Sequence, residues 1–236
     1  MRTYTFIFLF LLCIFILPSF KPLDDRFISY KLDPKKETIQ LFWKDEIGDK
    51  INTLHNLNDY VSKRKQKLLF AMNCGMFTPE YSPVGLFIQN GKQISKLKIC
   101  NTSKANFCLQ PQGVFYITSA NKAGIATAIT FNASGVLFAT QSAPVLLENG
   151  VINKNLPKGY QMNRNGAGIK KNGEVVLALG KDVNFHEFAK FFQTQGCTEA
   201  MFFDGGVSEV FYPAQKHLTH PAWSGSFGPM LGVIAK

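Results

Sequence analysis

Three Asn-Gly pairs, Asn90-Gly91, Asn149-Gly150 and Asn172-Gly173, each stand between two apolar runs. Asn and Gly both tolerate the positive φ that a two-residue type I′ turn demands, so each pair marks a hairpin: VGLFIQ against KQIS, APVLLE against VI, and GAGIKK against EVVLALG. A chain punctuated in this way builds antiparallel sheet and disfavours the doubly wound parallel kind. Further runs rich in β-branched and aromatic residues predict more strands: FISYKL, TIQLFWK, LLFAMN, GVFYITS, IATAITF, VLFATQ and the closing GPMLGVIAK.

Two helices break this pattern. From Ile51 to about Lys65, Leu54, Leu57 and Val61 recur at helical spacing among polar residues. Asn184 and Glu187 form a capping-box pair ahead of the apolar stripe Phe185, Phe188, Ala189 and Phe192, and Gly196 stops that helix. The fold class expected is therefore α+β, with a largely antiparallel or mixed sheet built from hairpins and flanked by at least two helices.

Residues 1–20 form a leader, and residues 21–236 a single domain. An uninterrupted apolar run from Phe6 to Leu17 follows Arg2 and ends at Pro18, the length of a signal-peptide core and short for a membrane span. No small-x-small cleavage site follows it. Export is the expectation, with the leader either cleaved, leaving a periplasmic or secreted protein, or kept as a membrane tether. Leu12 stands where a lipidated Cys13 would need a small residue. Of the five cysteines, Cys74, Cys100, Cys108 and Cys197 lie beyond the leader; four cysteines allow three full pairings, and Cys100 and Cys108 flank a short loop that a bridge across two strands could close.

The net charge of +10 favours anionic partners such as phosphate-bearing glycans and fits plain solubility or envelope attachment equally. No nucleic-acid module is present: the run SKRKQK (62–67) falls at a helix end and reads as a solvated face. No cofactor motif is identifiable. Cysteines at C-x-x-C spacing are absent, and His217 and His220 have no third ligand beside them, so a divalent metal is not indicated by ligand spacing.

Four places share a different signature, in which apolar strand sequence meets polar residues accompanied by glycine or proline: AMNCGMF (71–77), ATQSAPVL (139–146), MNRNGAGI (162–169) and FFDGGVSEV (202–210). Strand ends of this composition can build a cleft that backbone amides also reach. NCGMF, YSPVGLFIQNGK, LQPQGVF, ATQSAPVL, RNGAGI, VNFHEFAKFF, FFDGGVSEV and FGPMLGV, taken in order from about Leu68 to Val233, resemble the phosphodiester glycosidase family in its bacterial envelope branch. The animal member of that family is the uncovering enzyme that removes N-acetylglucosamine from mannose 6-phosphate tags. The resemblance implies hydrolysis of a sugar–phosphate diester at the anomeric carbon, with the family's polar positions falling on Asn73, Arg164 and Asp204. Cys74 departs from the glycine usual there, and its side chain is expected to narrow the pocket.

The residues carry the same chemistry on their own terms. A phosphate monoester leaves as a stabilised anion, so one carboxylate and one phosphate-binding cation suffice where ordinary glycoside hydrolysis uses two carboxylates. Asp204 is the candidate nucleophile or base, Arg164 the candidate phosphate clamp and Asn73 an orienting amide. Gly75, Ser142, Asn165, Gly205, Gly206 and Ser208 are the candidate substrate-binding positions, the last two glycines through backbone amides. Each has a structural alternative: a turn carboxylate for Asp204, a surface ion pair for Arg164, an Asx turn for Asn73 and a backbone cap for Ser142. Strand alternation lets only one of Ser208 and Glu209 face inward. His186, on the second helix, reads as a partly exposed histidine. Two rival functions remain at this point: a catalytically silent glycan- or phosphate-binding protein, and a metal-dependent phosphodiesterase that breaks the P–O bond.

Overall fold

The computed structural model describes residues 24–33, 36–101, 105–218 and 225–236. The leader and His220 lie outside the described residues. The elements follow one another as β1 (Phe27–Leu32), β2 (Glu37–Phe42), α1 (Leu54–Lys63), β3 (Leu68–Asn73), β4 (Phe87–Gln89), β5 (Lys92–Ser95), β6 (Gly113–Thr118), β7 (Ala123–Thr127) and β8 (Val136–Ser142). The second half continues with β9 (Val145–Glu148), β10 (Val151–Ile152), β11 (Met162–Lys170), β12 (Val175–Val183), α2 (Phe185–Thr194), β13 (Cys197–Gly205), β14 (Val210–Phe211) and β15 (Met230–Ala235).

These strands form three sheets, ordered β1-β12-β11-β13-β9-β10, β14-β3-β15-β2 and β5-β4-β8-β6-β7. Every pairing between these strands is antiparallel. Asn-Gly turns account for three of these pairings, β4 with β5, β9 with β10 and β11 with β12. Asn90 and Gly91 take φ of 52° and 74°, and Asn149 and Gly150 take 51° and 77°, the positive pair of a type I′ turn. The third Asn-Gly turn differs: Gly173 alone has positive φ (86°), while Asn172 accepts the Glu174 amide on its side-chain oxygen at 3.0 Å. That hairpin is longer by the residues needed to make an Asx turn.

One segment departs from hairpin logic and positions the site. β12 and β13 both pair with β11, one on each side, so they run in the same direction with β11 between them. A connection of that kind needs a crossover, and α2 supplies it. Its capping box forms as the sequence predicts: the Asn184 side chain accepts the Glu187 amide at 2.9 Å and the Glu187 carboxylate accepts the Asn184 amide at 3.0 Å. Phe185, Phe188, Ala189 and Phe192 bury themselves on the outer face of the six-stranded sheet, against Val176, Ala178, Ala200 and Phe202. The other face of that sheet meets the two smaller sheets across the main core, where Leu177, Phe203, Phe70, Leu231, Phe87 and Phe115 gather. Helix α1 covers the far side of the four-stranded sheet with Leu54, Leu57 and Val61.

Boundaries move where a local hydrogen bond outcompetes periodicity. Thr53 caps α1 by accepting the Asn56 amide at 3.0 Å, so the helix starts after the expected Ile51. β7 ends at Thr127 instead of running to Phe131, because the Thr130 amide turns back to the Thr127 carbonyl at 3.1 Å and leaves Ile129 80% exposed. The run 62–67 is exposed, a solvated face as read. Cys100 and Cys108 are bonded, but they close an irregular loop and not two strands; Cys74 and Cys197 are buried free thiols.

Candidate active site

β11 and β13 lie side by side, with Arg164 opposite Gly205 and Asn165 opposite Asp204. One step further the register slips, so that Gly166 faces Phe202 and Phe203 is left over as a bulge. The slip brings the strands so close that a Cβ on Gly166 would sit 2.3 Å from the Met201 carbonyl oxygen, which excludes every larger residue there. It also carries Arg164 and Asp204, forty positions apart in the chain, to one end of two neighbouring strands.

Asp204 ends its strand in a frame of amides. Its backbone N–H donates to Asn165 Oδ1 at 3.0 Å, and Asn165 Nδ2 donates to both the carbonyl oxygen and Oδ1 of Asn73 at 2.7 Å each. Asn73 Oδ1 also accepts the Glu209 amide at 3.2 Å, so its Nδ2 is left to donate to Asp204 Oδ2 at 3.2 Å. The other carboxylate oxygen accepts the Gly205 amide at 2.8 Å. Burial is the larger influence: against these two donors it pushes the Asp204 carboxyl up to about 6 from 3.8. The carboxyl is thus ionised at neutral pH and poised near it.

Arg164 is only 2% exposed. Its Nε donates to the Val183 carbonyl at 2.8 Å and its Nη2 to the Tyr160 carbonyl at 2.9 Å. The guanidinium lies over the Phe185 ring at 3.7 Å, with Phe202 at 5.7 Å. No carboxylate of the described residues pairs with it, and burial alone pulls its pKa down to about 10, so it keeps its charge at neutral pH. A buried arginine almost always has an acidic partner. Arg164 instead opens onto a cleft of about 230 Å³ that Asp204 and Gly205 line with it, together with Met76, Asn106, Leu109, Tyr160 and Met162.

The remaining expected positions divide. Asn73 and Asn165 hold Asp204 from behind and are wholly buried. Ser208 Oγ donates to the Asp204 carbonyl at 3.2 Å, and Ser142 Oγ donates to the Phe203 carbonyl, so both hydroxyls brace β13 and neither lines the cleft. Of Ser208 and Glu209, the serine is the buried one; the Glu209 carboxylate turns to the Gly225 amide at 3.0 Å. Gly75 packs on the five-stranded sheet, where a Cβ would meet Thr140 Oγ1 at 2.6 Å. The amides expected to bind anions are already engaged: Gly205 N–H donates to Asp204 itself and Gly206 N–H to the Asn163 carbonyl at 3.0 Å. Cys74, expected to narrow the pocket, points into the main core and is fully buried.

His186 lines a separate cleft between β1 and α2 with Arg26 and Glu187, which pair with each other at 2.9 Å. Among the described residues no three His, Cys, Asp or Glu side chains converge as metal ligands would. Sequence reasoning missed Asn106, Leu109 and Tyr160, which reach the cleft on two loops far apart in the chain. The Pro157-Lys158-Gly159-Tyr160 segment just ahead of Arg164 was the available signal, an aromatic in a turn sequence.

The phosphodiester glycosidase family profile matches residues 66–234, most of the chain and all of this site. The chain belongs to the phosphodiester glycosidase family. The Escherichia coli (strain K12) protein YigE, itself uncharacterized, is 34% identical over 188 residues, covering 78% of this chain and 73% of YigE. Among solved structures, the catalytic domain of zebrafish N-acetylglucosamine-1-phosphodiester alpha-N-acetylglucosaminidase, auto-inhibited by its pro-peptide, superposes with a TM-score of 0.60 at 15% identity, covering 91% of this chain and 84% of that one. A hypothetical protein from Synechocystis superposes with a TM-score of 0.57 at 11% identity over 89% of this chain, which spans 59% of that longer chain. At these identities the structural matches speak to the fold, and family membership indicates a hydrolase of the phosphodiester glycosidase kind.

Proposed function

We propose that this protein hydrolyses a glycosyl phosphodiester at the anomeric carbon, with Asp204 as nucleophile or base and Arg164 holding the phosphate. The observation that carries the reading is a buried guanidinium with no carboxylate partner among the described residues, opening onto the same cleft as a carboxyl poised at about 6. A phosphate bound at Arg164 would complete its charge with fork-shaped hydrogen bonds. Asp204 then attacks C1, or takes a proton from the water that does; the C1–O bond breaks and its electron pair leaves on the phosphate monoester, an anion beside the guanidinium. Leaving as an anion, the phosphate needs no proton donor, which suits a cleft that, among the described residues, Asp204 alone lines with a carboxylate.

Export belongs to the same reading and is supported by the Arg2-led apolar run and by the Cys100–Cys108 bond, which persists in oxidising compartments. The substrate class is a phosphate-bearing sugar or glycan; N-acetylglucosamine 1-phosphate diesters are the first probes, given the zebrafish neighbour's name. Wild type should release the sugar, with turnover rising as pH passes through about 6 while Asp204 loses its proton, and Asp204→Asn should fall by about a thousandfold or more. Run in heavy-oxygen water, the reaction should place the label in the sugar. Equal turnover of the two proteins removes Asp204 from the chemistry, and label in the phosphate means P–O cleavage instead.

A further inference from the structure

Tyr160 has no structural reason to be where it is. It is 87% exposed, and among the described residues no side-chain hydrogen bond or ring contact engages it. An aromatic ring left in water forgoes the burial that normally stabilises it. Yet the backbone beneath this ring is held firmly. The Tyr160 carbonyl accepts from Arg164 Nη2 at 2.9 Å, Gly159 N–H closes a tight turn onto the Pro157 carbonyl at 2.7 Å, and Leu156 packs against the core under α2. Gly159 is close enough that a Cβ there would come within 3.6 Å of the same Arg164 nitrogen. The guanidinium therefore fixes a rim of the cleft on which an exposed aromatic residue stands.

We infer that Tyr160 is a specificity-determining residue whose ring stacks on the flat apolar face of a cyclic group in the alcohol half of the substrate. The inference rests on the proposed roles of Asp204 and Arg164. If Asp204 meets the anomeric carbon and Arg164 the phosphate, the sugar lies toward Asp204 and the esterified alcohol lies on the guanidinium's far side. Along the chain Asn165 lies opposite Asp204, Arg164 comes next toward the start of β11, and Tyr160 lies beyond it, just ahead of the strand, so the residue stands past the guanidinium from Asp204, on the alcohol's side. Stacking there selects diesters whose alcohol carries a ring over those with a short open chain. The exposed phenol is not a packing element, so its removal does not threaten the fold.

The test uses binding, so that it does not depend on turnover. In the full chain carrying Asp204→Asn, calorimetry gives Kd for the cyclohexylmethyl and methyl diesters of N-acetylglucosamine 1-phosphate. The ring-bearing diester should bind about tenfold tighter. Adding Tyr160→Ala should bring the two Kd values within about twofold of each other, while Tyr160→Phe keeps the preference, with unchanged melting temperatures for both. A preference that survives Tyr160→Ala, or is absent before it, overturns the inference, as does failure of either diester to bind. Absence of hydrolysis by wild type while the Tyr160-dependent preference persists would instead remove the proposed reaction and leave this subsite standing.

Discussion

Burial weakens both charges of the candidate site and cancels neither. It raises the Asp204 carboxyl to about 6 and lowers the Arg164 guanidinium to about 10, and neither group figures among the causes of the other's shift. The two charges thus stand apart across a cleft, where an ion pair would have closed it. Keeping Asp204 ionised in this setting has a consequence for stability. Its folded-state pKa lies above the ordinary value of 3.8, so the proton-linked stabilisation is complete below about pH 4 and is lost as pH rises through about 6. Denaturant unfolding of wild type and Asp204→Asn from pH 4 to 8 should show wild type losing about 2 kcal/mol relative to the variant, with the change centred between those values. A constant gap across that range would mean that the carboxyl is not perturbed. The acid and the arginine stand out in the sequence because each falls in a polar, glycine-bearing break of an apolar pattern, and the resemblance to the family singles out both. The fate of the flanking amides was not legible there, since Gly205 donates to the Asp204 carboxylate and Gly206 to the Asn163 carbonyl on the neighbouring strand.

The loop closed by Cys100 and Cys108 shows the same division between what an element's sequence says and what its surroundings decide. Two buried glutamines clasp this region to the sheet beneath. Gln112 accepts the Cys100 amide and donates to the Phe107 carbonyl, both at 2.9 Å, and Gln141 accepts the Leu86 and Lys98 amides at 2.9 and 3.0 Å. The loop carries Asn106 and Leu109 to the cleft. A cross-link spanning 8 positions restrains the unfolded chain by about 2–3 kcal/mol on loop-closure grounds. The double substitution Cys100→Ser, Cys108→Ser should lower stability by about 2 kcal/mol and raise KM severalfold, with the glutamine clasps preserving the fold. An unchanged KM in a measurably less stable protein would detach this loop from substrate binding. Helix α2 is the opposite case: its cap, apolar stripe and stop are all local, and all were readable.

At the scale of the molecule, the site is where the three sheets meet. Asn73 comes from β3 of the four-stranded sheet, Asn165 and Asp204 from β11 and β13 of the six-stranded sheet, and Ser142 on β8 of the five-stranded sheet reaches the Phe203 carbonyl. Asn165 is the hub, satisfying three polar groups of its neighbours in a fully buried position. Asn165→Ala would leave the Asp204 amide without its acceptor and Asn73 with the Glu209 amide as its remaining donor. It should destabilise the protein by about 2–4 kcal/mol and lose most activity even where folded, since the Glu209 amide alone then orients the Asn73 amide toward the carboxylate. Full activity in the folded fraction would make the hub a packing device only. Turn chemistry, apolar period and capping act within a few positions of chain, so the antiparallel hairpins, the second helix and the residue types of the candidate site could be read from residue order. That Arg164 has no acidic partner among the described residues, that Cys74 faces the core and that Tyr160 stands at the rim emerges first in the packed fold. Those outcomes depend on which surfaces meet when three sheets close on one another, and that is set by packing between segments far apart in the chain.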